Sequence, residues 1–239
     1  MAQKIKPYTF RLGITIPWAS RWFFKNTLKY FLEEDYAIRT YVKKKILEAG
    51  VAGIDIERTS DVVRVNIRAS RPGLIIGRGG KGVEDLRNEI MTLVRKLRTK
   101  NKIAQKCMLN VNIEELKRSE VSAPVVAQQI AFDIQKRLPY RRVMKRHLES
   151  MMQNNEVKGA KIKLAGRLNG AEISRSDFLA QGRMPLQSFR ANIDYAEATA
   201  FNSYGTVGVK VWIYKGDVFA EKKEATKVSY DIPYSRVTR

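Results

Sequence analysis

Apolar residues recur along this chain with two different periods, and the switches between them mark its elements. The first stretch shows neither period. Residues 1 to about 20 read as an extended arm ending at Pro17, followed by Trp18, Trp22, Phe23, Phe24, Tyr30 and Phe31. Such aromatics fix an arm to a neighbouring core; stacking on bases is their other common use. From Asp35 the spacing is helical, with Ile38, Tyr41, Val42, Ile46 and Ala49 on one face and Gly50 as a stop. Ile54 and Ile56 then alternate with polar neighbours. After Thr59-Ser60-Asp61, Val63, Val65 and Ile67 alternate with Arg64, Asn66 and Arg68. That pattern predicts a strand with an apolar inner face and a basic outer one. Pro72-Gly73 breaks it. Val83, Leu86, Ile90, Leu93, Val94 and Leu97 share one face of a second helix. Cys107, Leu109, Val111 and Ile113 predict another strand. The order is helix, strand, strand, glycine loop, helix, strand.

Periodicity lapses from Leu116 to Ser122, and a domain boundary belongs there. Ser122 can cap a helix with Pro124 in its first turn and Val126, Ile130, Ile134 and Leu138 on its buried face. Pro139 ends it and opens another, carrying Met144, Leu148, Met151 and Met152. Ile162 and Leu164 begin a run of strands. Residues 188–214 read as a long hairpin bearing Ile193, Tyr195, Val209, Val211 and Ile213. From Asp217 to Arg239 the chain is polar and aperiodic, a tail ordered only by a partner.

Composition narrows the partners. The 239 residues hold 45 Lys+Arg against 24 Asp+Glu, a formal net charge of +21. Such a surplus repels itself unless a polyanion sits nearby, which points first to nucleic acid. A membrane surface is the competing partner, but no apolar run reaches the ~18 residues that a span needs. The first residues lack the apolar core of a secretory signal. Cys107 is the only cysteine, so no intrachain disulfide exists, which fits a reducing compartment. His147 is the only histidine. The two cannot make a Cys/His zinc site, and a Ser-His-Asp triad would need His147, which adjoins a run of positive charge. No cofactor, metal or catalytic residue is expected.

Two motifs carry chemistry. Ile76-Gly77-Arg78-Gly79-Gly80-Lys81-Gly82-Val83 lies between the broken strand and the most periodic helix. Glycines allow close backbone approach, and a helix start offers free amides to phosphate. Gly77, Gly79 and Gly82 also satisfy the dinucleotide-loop spacing. That fold needs an acid about 20 residues on, yet no Asp or Glu occurs between Glu89 and Glu114. The strands before the loop, joined by a short turn, are antiparallel, which is also wrong for it. The loop instead resembles the Ile-Gly-x-x-Gly-x-x-Ile pattern of K-homology domains, with Val83 in last place. Its element order is similar to the second, bacterial type. Such loops clamp a sugar-phosphate backbone. The middle pair, Arg78-Gly79, departs from the two basic residues common there, which weakens the expected grip at Gly79. A tight turn without a ligand is the plain alternative. The second motif is a basic helix: Lys136, Arg137, Arg141, Arg142, Lys145 and Arg146, with no acid among them. Arg141 and Lys145 share a face, as do Arg142 and Arg146. A single-sign row calls for a counter-charge, and nucleic acid supplies one.

The C-terminal half carries a more specific likeness. The blocks Gly166-Arg167-Leu168-Asn169-Gly170-Ala171-Glu172-Ile173 and Gly208-Val209-Lys210-Val211-Trp212-Ile213 resemble the ribosomal protein S-three family in its bacterial or organellar form. The start, Gln3-Lys4 through Arg11-Leu12-Gly13-Ile14, is similar as well, and the resemblance covers about residues 1–216. It implies an α+β fold of two domains. An extended arm (1–19) precedes a type-two K-homology domain with an N-terminal aromatic helix (20–115). A domain of two helices on a mixed, mainly antiparallel four-stranded sheet (116–216) and a tail (217–239) follow. It implies a non-enzymatic constituent of the small-subunit head, in the cytoplasm or an organelle, beside the proteins S-ten and S-fourteen. Gly77, Arg78, Gly79, Gly80 and Lys81 would be its RNA-binding loop. Arg141, Arg142, Lys145 and Arg146 would meet messenger RNA as it enters the subunit, and Arg11, Arg167, Arg175, Arg183 and Arg190 would bind ribosomal RNA. Bottom-up, Arg175 near Asp177 and Arg190 near Asp194 could equally be surface ion pairs. A free K-homology RNA-binding regulator is the alternative function. A nucleic-acid enzyme is a third, for which paired carboxylates or an activated lysine are not apparent.

Overall fold

A computed structural model describes residues 4–22, 28–59, 62–101, 108–118 and 121–218. Two hydrophobic cores organise them. The first lies between helices α2 (Leu28–Lys45) and α4 (Lys81–Lys100) and one face of a sheet made of β1 (Ser20–Arg21), β2 (Val51–Arg58), β3 (Val62–Ala69) and β4 (Met108–Glu115), in that order. β2 and β3 pair antiparallel, while β1 runs parallel to β2 and β4 parallel to β3. Val63, Val65 and Ile67 of β3 are buried as their alternation predicts, with Arg64 and Arg68 exposed. Leu86, Ile90 and Val94 of α4 meet them. Cys107, predicted on β4, and Phe23 and Phe24 of the aromatic stretch lie outside the described residues.

A short helix, α3 (Pro72–Ile76), intervenes where the sequence reading has only a break. Proline ends a strand because it has no N–H to give. The same ring pre-sets φ for a first helical turn, so Pro72 does both.

The second core joins α5 (Ala123–Gln135) and α6 (Tyr140–Met152) to a sheet in the order β6 (Arg175–Gly182), β5 (Gly159–Gly166), β8 (Gly205–Asp217), β7 (Ala191–Asn202). Every pairing in it is antiparallel. The mixed sheet is the first one. β7 and β8 form the expected long hairpin, but an irregularity between Asn192 and Ile193 sets its faces. Val207, Val209, Val211 and Ile213 point to the helices, whereas Ile193 and Tyr214 belong to a small cluster on the other side with Met184, Leu186 and Trp212. Ser122 holds the N-cap position of α5 without a side-chain cap bond; Asp194 of β7 accepts the Ala123 N–H instead, at 2.9 Å.

The N-terminal arm is not simply extended. Pro7–Arg11 form helix α1, which docks on the second domain beside β7. Phe10 stacks on Phe189 with centroids 4.0 Å apart, and Lys6 Nζ donates to Glu197 Oε2 at 2.8 Å. Thus residues 6–11 are held by β7 and the segment that leads into it.

Candidate nucleic-acid interface

The glycine loop leaves α3 at Gly77 (φ 67°) and passes through a single tight turn, Arg78–Gly80, into α4. Gly79 (φ 62°) and Gly80 (φ 82°) occupy left-handed backbone that a side chain resists. Gly82 is required for another reason. A Cβ there would stand 2.5 Å from the Ile75 carbonyl oxygen, so α3 and α4 can meet only over glycine. Beyond Gly79 and Gly80 nothing lies within 4 Å of an added Cβ, so this face of the loop is open. Gly80, the N-cap of α4, makes no side-chain cap bond. Arg78 and Lys81 are exposed and make no ion pair among the described residues. The result is an open turn at the positive end of a 20-residue helix, flanked by two cations.

The basic row of α6 lies on its outer side. Val143, Met144, Leu148 and Met151 are buried, while the Arg141 and Lys145 side chains are 80% and 75% exposed. The row is less purely positive than the sequence suggests. Arg141 Nε lies 3.8 Å from Asp177 of β6, and Lys145 is 3.8 Å from Glu149 one turn on. Arg146 is bound to Asp133 of α5, which also meets His147 Nε2 at 2.9 Å. Arg142 makes no ion pair among the described residues. Exposed pairs of this kind contribute ~0.2–1 kcal/mol, so a phosphate can displace Asp177 or Glu149.

The five other arginines divide. Arg11, expected at ribosomal RNA, is a correction: it is fully buried, and its guanidinium donates to the carbonyls of Ala191, Pro7, Leu186 and Ser188 at 2.7–3.1 Å. It locks the arm, with its donors turned to backbone carbonyls rather than outward. Burial pushes its pKa down. Arg167 is half-buried and donates to the Ala171 and Tyr204 carbonyls, both at 2.9 Å. Arg175 and Arg183 stand exposed near opposite ends of edge strand β6, without ion pairs among the described residues. Arg190 pairs with Asp217 at 3.1 Å, and Asp177 is approached by Arg141; the ion pairs read from sequence proximity are replaced by long-range ones.

Tyr140 and Tyr204, to which the sequence assigns no site role, are aromatic residues brought together by the α5–α6 and β7–β8 turns. The Tyr-Arg-Arg juxtaposition was the available signal.

The comparisons match this architecture in order. A K-homology description, "KH domain", matches residues 37–121, and "Ribosomal protein S3, C-terminal domain" matches residues 130–213. The chain is 44% identical over 231 residues to the small ribosomal subunit protein uS3 of Endomicrobium trichonymphae, covering 97% of this chain and 94% of that one. The chain belongs to the ribosomal protein S3 family. Its likeness to the uS3 of Campylobacter concisus is 42% over 234 residues (98% and 96%), and to that of Clostridium novyi 42% over 229 (95% and 98%). As a member of this family it is a structural, non-enzymatic, RNA-binding protein of the small ribosomal subunit. A free regulator carrying only a K-homology domain leaves the second match without a role. Among the described residues, no helix is long and apolar enough to cross a membrane.

Proposed function

We propose that this chain grips small-subunit ribosomal RNA through the Gly77–Lys81 loop and presents α6 to messenger RNA where the strand enters the subunit, helping to position and unwind it. The carrying observation is the outer face of α6, where Arg141, Arg142 and Lys145 project from a helix anchored by Met144, Leu148 and Met151. Charge fixed on a buried scaffold binds a backbone of any sequence, as a passing message requires. Arg146, tied to Asp133, orients the row from behind. Arg175, Arg183 and Arg190 extend the ribosomal-RNA surface on the second domain. The proposed neighbours are the head proteins S-ten and S-fourteen, and the proposed location is the ribosome in bacterial cytoplasm. The functional division proposed with this reading is arm 1–19, K-homology domain 20–115, second domain 116–216 and tail 217–239.

The test replaces Arg141, Arg142 and Lys145 by alanine. Alanine keeps helix propensity, and like-charge repulsion falls, so stability should hold or rise slightly. Subunit assembly should largely survive because the glycine loop is untouched. Translation of a message with a strong hairpin should drop relative to an unstructured one. A mutant that assembles and translates both as wild type does would show that α6 has no such role.

A further inference from the structure

The α5–α6 turn and the β7–β8 turn close around a cleft of about 340 Å3, lined by Arg137, Tyr140, Asn169, Ser203 and Tyr204 among others. Among the described residues only two non-glycine residues have positive φ, Arg137 (61°) and Asn169 (54°), and both line this cleft. Such backbone disfavours side chains, and it gathers at binding sites, where the surrounding fold holds it. Tyr204 is held before anything binds: Arg167 donates to its carbonyl at 2.9 Å and stands 6.0 Å from its ring centroid. The Arg141 guanidinium lies 5.7 Å from the Tyr140 ring centroid. Asn169 Oδ1 accepts the Tyr140 N–H at 3.4 Å, and its amide NH2 has no acceptor among the described residues.

A flat polar heterocycle on a charged backbone matches this chemistry. The two aromatic rings offer stacking faces. Asn169 and Ser203 offer hydrogen bonds to a base edge. Arg137 lines the cleft and Arg141 lies beside the Tyr140 ring, cations for the adjoining phosphates. The volume is at the small end for ligand pockets, which run from about 300 Å3, and it admits one base rather than a duplex. We propose that this cleft receives a single unpaired nucleobase of the RNA strand held by the α6 row. The proposal rests on the reading of that row as an RNA contact, and it gives the row a preference for single strands.

Full-length protein would be titrated with a single-stranded oligoribonucleotide and with an abasic strand of the same length and charge. Wild type should bind the intact strand about ten-fold more tightly, the scale of one base–aromatic stack. Tyr204→Leu should bring the intact strand down to the abasic affinity, and Tyr204→Phe, which keeps the ring, should restore the difference. Independently of any variant, 2-aminopurine placed in the strand should lose fluorescence on binding wild type. Equal affinity for both strands, with steep salt dependence, overturns the cleft and leaves the charged row standing. A preference that persists in Tyr204→Leu, or an unquenched 2-aminopurine, also overturns the cleft. No binding of either strand overturns both readings.

Discussion

Glu34 and Asp35, adjacent acids on α2, are buried with Arg58 of β2 and Arg98 of α4. Arg58 Nη1 meets Glu34 at 2.6 Å, Arg58 Nε meets Asp35 at 2.8 Å, and Arg98 Nε meets Glu34 at 2.9 Å. Asp35 also accepts from Ser20 Oγ and Trp22 Nε1, which ties the end of the arm to the helix. Two positive and two negative charges cancel, so the group is tolerable in an apolar setting as long as it stays whole. Replacing Glu34 by Gln leaves Arg58 and Arg98 short of a counter-charge. Breaking a buried pair from one side costs ~3–5 kcal/mol, and urea denaturation should read a loss of that order. A shift as small as that of an exposed ion pair would mean that the quartet does not hold α2 and α4 to the sheet. None of this was legible beforehand, because a charged residue on a periodic helix reads as exposed until its partner is known. Arg11 was misread for the same reason: an arginine in an arm looks free, and the four carbonyls that hold it come from residues 7 and 186–191.

Elements were legible wherever one face alone decides them. α4, α6 and β3 follow their apolar spacing, as does α5 through Ile134, whereas Leu138, expected on its buried face, lies beyond the end of the helix at Gln135 and is exposed; the basic side of α6 is the side its apolar residues leave outward. The arm's fate depends instead on a pairing between sequence ends. Lys6 hydrogen-bonds Glu197 and, with a second bond from Tyr195, pushes the Glu197 carboxyl down to about 2 from its ordinary 4.5. Burial, with this same carboxylate, pushes the Tyr195 hydroxyl up. A carboxylate with a lower folded than unfolded pKa stabilises the fold above its unfolded value and loses that contribution as pH falls through the folded one. The contribution of Glu197 to the hold on the arm is therefore complete above about pH 4.5 and lost as pH falls toward 2. Glu197 is partly exposed, so solvent screening keeps the effect small. The melting temperature of Glu197→Gln should lie slightly below wild type at pH 7, and the gap should close as pH falls from 4.5 to 2. A gap that stays constant across this range would assign the arm's docking to Arg11 and Phe10 alone.

At the scale of the molecule, the +21 charge is the property that RNA answers. Loop cations Arg78 and Lys81, the α6 row, and Arg175 and Arg183 are exposed, whereas Arg11, Arg58 and Arg98 are buried within the fold. Binding through the exposed set releases counterions from the nucleic acid. The logarithm of affinity should then fall linearly with the logarithm of salt concentration, with a slope equivalent to several phosphate contacts. A salt titration with a slope near zero would show that charge does not drive binding.

The sequence by itself determined what rests on local chemistry: the helix and strand periods, the glycine loop that only glycine can form, and the single-sign row on α6. It also carried the family resemblance, because the Gly-Arg-Leu and Gly-Val-Lys-Val-Trp-Ile blocks are contiguous. Only the tertiary structure decided which charges remain available. It buried the Glu34 quartet, closed Arg11 over the second sheet, paired Arg146 with Asp133, and brought Tyr140, Asn169 and Tyr204 around one cleft. The physical reason is reach. A hydrophobic period is set by neighbours three or four residues away, but the partner that satisfies a buried charge can be 180 residues distant, as Ala191 is from Arg11, and no local pattern encodes it.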